Sequence, residues 1–255
     1  MNKKNVVVIT DCKDVAFNEM RRIVINECSK LDVNEVEVEL VSVAEFSLIN
    51  AAFLTRLMAD YYPEDTVFSI VINPQKHRSS RIYGELNNGI KFFGANTGAL
   101  SWVLNDFGYK SLYEVHDPGF ISFGGKYVHA PNVAKLVAGE SMDSFGKPFS
   151  KEELAALDID EGTIVHIDNF GLLKIMGETP KFEEGQKFKI SINGEEKFEA
   201  KFSNRMMTQD DKDWVLYAGS SLHSLPELGT VRYAEGYKEF GIKIGDKVTW
   251  TTTDE

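Results

Sequence analysis

The feature that most constrains the fold is the alternation in the first third of the chain between short apolar runs and stretches with a helical period. Val6-Val7-Val8-Ile9 is continuous and β-branched, as in a strand buried on both faces, and the expected strand covers 5–10. Over 35–42, Val36, Val38 and Leu40 alternate with glutamates, the pattern of a half-buried strand. Over 67–72 a third apolar run follows Pro63-Glu64-Asp65. Between the first two runs, Val15, Met20, Ile23, Val24 and Cys28 give one apolar side to a helix over 14–29, with Asp14 placed to cap it. A second helical stretch over 44–62 carries Phe46, Ile49, Phe53, Leu57 and Met58 roughly on one face. Strands joined through helices are crossover units, and crossovers make parallel neighbours. The expectation is an α/β domain with a mostly parallel sheet.

The chain then becomes less regular. Asn87-Asn88-Gly89 is a hairpin signal between strands over 82–86 and 90–93. A helix is expected over 97–106, a break at Gly108, a turn at His116-Asp117-Pro118-Gly119, and a helix over 131–138 with proline near its first position. After Gly146-Lys147-Pro148 the character changes. Ser150-Lys151-Glu152-Glu153 reads as the capped start of a connecting helix. Beyond it only short strands are expected, over 163–167, 172–176, 187–192, 197–201, 214–218 and 247–251, with Asn193-Gly194 as a type I′ hairpin. The domain reading is an α/β domain over 1–148, a linker over 149–161 and a small all-β, barrel-like domain over 162–255.

Composition serves mainly to exclude. A net charge of -11 argues against nucleic acid as a partner, because phosphate binding needs a basic surface. His77-Arg78 and Arg81 form a small basic cluster fit for one anionic group. The apolar run near the start is too short for a signal peptide or a membrane span, so a cytoplasmic protein without a membrane partner is expected. Cys12 and Cys28 match no redox or metal motif. The histidines at 77, 116, 129, 166 and 223 are not paired at metal-ligand spacing, so no metal is expected.

The candidate chemistry gathers around 73–81, which hangs off the carboxyl end of the third strand, where open α/β sheets bind ligands. Asp11 closes the first strand. Its two acceptor oxygens suit either the two hydroxyls of a ribose or a helix cap, and Asp14 has the same ambiguity. Asn96 and Thr97 lead into a helix and serve either as caps or as a close approach for a ligand. Gly124-Gly125 allows a tight turn or close ligand approach without the spacing of a phosphate loop. Asp168-Asn169-Phe170-Gly171 and Gly219-Ser220-Ser221 end strands of the second domain. They are plain turns or walls of a cleft between domains.

In order along nearly the whole chain, these stretches resemble the S-adenosylmethionine (SAM) hydroxide adenosyltransferase family, relatives of the SAM-dependent fluorinase and chlorinase. Val8-Ile9-Thr10-Asp11 resembles the family's opening strand and T-D, and Asp14 with Met20-Arg21 its D-x-Y-V-G-x-M-K after a two-residue deletion. Tyr62-Pro63-Glu64-Asp65-Thr66-Val67 resembles F-P-x-G-T-V, and Val71-Ile72-Asn73-Pro74 falls on V-V-D-P. Ala95-Asn96-Thr97-Gly98-Ala99-Leu100 falls on P-D-N-G-L-L, and Ala130-Pro131 on the A-P of F-A-P-x-A-A. Ile167-Asp168-Asn169-Phe170-Gly171 falls on D-x-F-G-N, Gly219-Ser220-Ser221 on an S-S-G turn, and Gly241 to Val248 on the closing L-G-x-x-x-G-D-x-V.

The resemblance implies a ligand and a reaction. SAM is the substrate or ligand, with no other cofactor, bound at the subunit interface of a homotrimer. It is hydrolysed to adenosine and L-methionine by displacement at the ribose 5′ carbon; the alternative is a non-catalytic relative that binds SAM or a nucleoside. The family's Asp, Arg and His that position and activate water fall on Asn73, on Ser80 or Arg81, and on Gly124. Asp11 matches the ribose-binding aspartate. Asp14, Asp168 and Ser220 match positions that hold the ends of the methionine moiety, and Phe46 falls near an aromatic of the pocket. Asn96, Thr97, Phe170 and Ser221 complete the implied binding set, while Leu172 stands where an asparagine reads adenine. His77 and His129 are the histidines left to replace the base.

Overall fold

Val6, Val7, Val8, Ile9 and Thr10 are buried in β1 (Lys4–Thr10), as a β-branched run predicts. The computed structural model describes residues 3–73, 79–116, 119–222 and 224–252. The chain divides into two compact units, Met1–Leu157 and Asp158–Glu255. In the first, β1 is followed by α1 (Asp14–Lys30), β2 (Val36–Ser42), α2 (Leu48–Met58) and β3 (Val67–Val71). Then come β4 (Arg81–Leu86), β5 (Lys91–Ala95), α3 (Ser101–Phe107), β6 (Tyr109–Val115), α4 (Ala130–Ala138) and β7 (Gly146–Pro148). Val6 and Val8 join Met20 and Val24 of α1 and Val133 and Leu136 of α4 in one apolar layer. Phe53 of α2 meets Trp102 of α3 with ring centroids 6.2 Å apart.

The sheet of this unit is mixed, which corrects the expectation of a mostly parallel α/β domain. Its order is β2-β1-β3-β5-β4-β6-β7. The pairs β2–β1, β1–β3 and β3–β5 are parallel, and the pairs β5–β4, β4–β6 and β6–β7 are antiparallel. The cause lies in the connections. A tight turn at Asn88-Gly89, with Gly89 at φ +87, returns the chain at once, and such a return makes antiparallel neighbours. β6 and β7 extend that side. Neither was legible as a strand, because β6 (YKSLYEV) mixes polar and aromatic residues without a clear period and β7 is only three residues long.

Helix ends also differ from the pattern. Asp14 does not cap α1: it is the first helical residue, at φ +54, and no side chain caps this helix. α2 is shorter than its apolar period because Phe46 adopts φ +60 and Ser47 Oγ accepts a bond from Asn50 N at 3.1 Å. α3 starts at Ser101 because Gly98, at φ +89, packs against the segment at Ala156 and Leu157. The connecting helix is a single turn, Lys151–Glu153.

The second unit holds β8 (Ile164–Ile167), β9 (Leu173–Ile175), β10 (Lys187–Ile192), β11 (Glu195–Phe202), β12 (Trp214–Ala218), β13 (Pro226–Thr230), the four-residue α5 (Gly236–Glu239) and β14 (Val248–Thr252). Its sheet order is β14-β10-β11-β12-β13-β9-β8, and β11–β12 is its parallel pair. Thr163 bridges Lys247, and Ile164 N donates to Asp246 O at 2.9 Å, so the two edges meet. Phe188, Ile164, Leu173, Leu216 and Leu228 fill its core. β13 opens on proline and carries Gly229, so composition hid it. Yet all of it is buried, and a Cβ at Gly229 would press on Leu172.

Candidate functional site

β1, β3 and β5 are parallel, so their carboxyl ends share one edge of the sheet. β4 runs the other way, and its first residue, Arg81, pairs with Ala95 at the end of β5. The chain leaves this edge through Cys12, through Ile72 and Asn73, and through Thr97. With the stretch from Phe120 to Gly125 these residues line a cavity of about 810 Å³. That volume lies within the roughly 300–1,000 Å³ usual for small-molecule sites. Ile70, Val71, Ile72 and Phe123 make much of its wall apolar.

Asn73, Arg81 and Gly124 all line this cavity. The Arg81 guanidinium occupies the place where a side chain at Gly124 would start, since a Cβ there would collide with Nη2. His129 joins them in the lining and is only 5% exposed. Its ring meets Phe93 edge-on at 4.8 Å. Its buried Nδ1 has no hydrogen-bond partner among the described residues. Burial, and then the charge of Arg81, lower the imidazole from its ordinary 6.5 to about 3, so it is neutral near pH 7. Sequence reasoning noted His129 only as a leftover histidine; the signal available was its place one turn beyond Gly124. Cys12 also lines the cavity. Burial raises its thiol, which the Thr10 hydroxyl partly offsets, so it stays protonated at neutral pH.

Asp11 is not among the described residues that line the cavity. It is buried, and Oδ1 accepts from Asn73 N and Oδ2 from Phe46 N, both at 2.9 Å. Its carboxylate ties together the segments that leave β1, β2 and β3. Asp14 is exposed at the start of α1, and Phe46 is 66% exposed on its turn. Thr97 faces the cavity, but Asn96 is directed elsewhere: Nδ2 donates to Glu153 O and Oδ1 accepts from Ala155 N, each at 2.8 Å. His77 and Arg78 lie outside the described residues, as do Asp117, Pro118 and His223.

In the second unit, Asp168 Oδ1 accepts from Phe170 N at 2.9 Å and Leu172 N at 3.0 Å, closing the β8–β9 turn. Phe170 stands 66% exposed at its tip. Ser220 is exposed on the turn after β12, and Ser221 O accepts from Leu225 N at 3.1 Å. Beneath these turns Lys174 Nζ is paired with Glu227, whose Oε2 accepts from Tyr217 Oη at 2.6 Å. Burial lowers the nearby His166, and the charge of Lys174 adds to that. No group of three or more metal-ligating side chains occurs among the described residues. None of the described helices is long and apolar enough to cross a membrane.

The family model described as SAM hydroxide adenosyltransferase N-terminal domain matches residues 6–146. That span holds all the described residues that line the cavity. Among solved structures, an uncharacterized conserved protein from Thermotoga maritima matches with TM-score 0.80 at 17% identity, over 96% of this chain and 99% of its own. A conserved hypothetical protein from Thermus thermophilus matches with TM-score 0.76 at 18% identity, over 97% of this chain and 100% of its own. At such identities the likeness is one of fold. No curated protein matches the chain.

Proposed function

Since the chain belongs to the SAM hydroxide adenosyltransferase family, we propose that its strand-end cavity binds SAM and that the bound SAM is hydrolysed to adenosine and L-methionine. The observation that carries this reading is the meeting of Asn73, Arg81 and Gly124, positions far apart in sequence, around one cavity of about 810 Å³. In the reaction, the oxygen of water bonds to the ribose 5′ carbon as the carbon–sulfur bond breaks. The electron pair goes to sulfur, methionine leaves as a neutral thioether, and a proton of the water is given up. The sulfonium is a good leaving group without help. The protein's task is to align the water and to keep bulk solvent from the positive sulfur, for which the apolar wall is suited.

The reading also includes a homotrimer with the site at the subunit interface, as the family resemblance implies. Val15, Phe46 and Phe120, which are 73%, 66% and 88% exposed, are apolar surface for such a contact. Light scattering on the purified chain tests it, with three times the 28.7 kDa chain mass as the expected result.

A second reading is favoured by Asn73 itself. An amide cannot take a proton as the family's aspartate does, and Gly124 offers no ring nitrogen. The alternative is therefore a SAM or nucleoside binder without turnover. Purified protein incubated with SAM separates the two. Equal release of adenosine and methionine above the uncatalysed rate, followed by chromatography, supports the hydrolase. Saturable heat in calorimetry with no product supports the binder, and neither heat nor product removes SAM as the ligand. Asp11→Asn is expected to weaken SAM binding about tenfold. The change replaces an acceptor oxygen with a donor and so loosens the Asn73 and Phe46 segments held by the carboxylate.

A further inference from the structure

The turn that carries Gly124 into α4 is unusual. Gly125–His129 is a π-helical turn, and Ala130 N donates to Gly125 O across it. Successive residues of an ordinary α-helix repeat every 3.6 positions, which would rotate residue 129 away from residue 124. The wider turn brings 129 back to the same side, and both positions line the cavity. Such widened turns recur at functional sites. At its end sits an imidazole that the packing does not satisfy. His129 is buried against Phe93, and Nδ1 lacks a partner among the described residues. His129 lines the cavity, while its Nδ1, sealed from solvent as the side chains stand, makes no bond to the described residues.

From this arrangement we propose that His129 is the proton acceptor for the attacking water, taking over the task of the histidine that the family carries at the position of Gly124. The inference rests on the hydrolase reading above. His129 accepts a hydrogen bond from the water as its oxygen attacks the 5′ carbon. As that oxygen bonds to carbon it becomes an oxonium, far more acidic than any imidazolium. One proton passes to the ring and from there to solvent, methionine departs as the neutral thioether, and charge and atoms balance. The depressed basicity of His129 does not prevent the transfer, because the oxonium gives up its proton to even a weak base. It also keeps the imidazole uncharged next to Arg81 and the sulfonium. Arg81 lies in the space that Gly124 leaves open, so the substitution of the family histidine by glycine and the use of His129 belong to one rearrangement.

His129→Phe tests this, because the ring contact with Phe93 is kept and only the nitrogens are lost. Adenosine release is expected to fall about 100-fold or more, while the calorimetric Kd for SAM changes less than about threefold. In His129→Ala, added imidazole is expected to restore part of the lost turnover, a rescue that a purely structural role would not give. Should His129→Phe fail to fold, His129→Gln carries the same comparison. Turnover in His129→Phe within about twofold of the unsubstituted protein would overturn the role of His129 and leave the hydrolase reading standing. If the unsubstituted protein binds SAM without product, or does not bind it, the hydrolase reading and the role of His129 fall together.

Discussion

Lys174→Met is expected to destabilise the second unit by about 3–5 kcal/mol, the usual cost of removing one partner of a buried ion pair. The side chains of Lys174 and Glu227 are 11% and 5% exposed. Glu227 is also held by Tyr217 Oη at 2.6 Å. Gly219 has no side chain because its Cβ would overlap the Glu227 carboxylate. Taking away the ammonium leaves a carboxylate with one neutral donor in a place built without room for water to replace it. Burial and the bond to Glu227 push the Tyr217 phenol well above its ordinary range, so that hydroxyl stays a donor and does not compete for charge. Urea titration of the second-unit transition measures the loss. The double variant Lys174→Met, Glu227→Leu is expected to recover most of it, since an apolar pair has no charge to strand. A loss under about 1 kcal/mol in the single variant would mean that water reaches the pair in solution. The network underlies two turns of the second unit: the Asp168 turn joins β8 to β9, where Lys174 sits, and the Gly219–Ser221 turn continues β12, where Tyr217 sits.

Acidification from pH 7 to pH 5 is expected to cost about 2 kcal/mol of stability through His129 alone. In the folded chain this imidazole titrates at about 3 against an ordinary 6.5. Between those values the unfolded chain binds a proton that the folded chain refuses. The contribution is therefore complete above pH 6.5 and is lost progressively as pH falls toward 3. His166 is lowered as well, with burial as the main cause and Lys174 second, and acts in the same sense. Denaturant midpoints for the unsubstituted protein and for His129→Phe across this range isolate the effect. The variant is expected to show the shallower slope, and equal slopes would mean that His129 is charged or solvated in the folded protein. The same neutrality predicts that adenosine release has no inflection near pH 6.5 from this group.

Much of the first unit was legible because burial on both faces leaves a continuous β-branched signature and burial on one helical face leaves a 3.6-residue period. β1, β2, β3, α1 and α4 followed from those patterns, as did the hairpin at Asn88-Gly89 and most strands of the second unit. The ordered motifs carried the family, and the positions of Asn73, Arg81 and Gly124 came with them. Periodicity records which faces are buried, but not which strand lies alongside or in which direction. The mixed order β2-β1-β3-β5-β4-β6-β7 was therefore decided only by tertiary pairing, as were the strand roles of Tyr109–Val115, Gly146–Pro148 and Pro226–Thr230. Local chemistry likewise marked Asn96 and Asp11 as ligand candidates, whereas packing committed their side chains to backbone groups of distant segments. The placement of His129 beside Arg81, with the guanidinium filling the gap at Gly124, has no counterpart in the local sequence. It exists because an antiparallel strand starts, and a π-turn ends, at the same edge of one sheet.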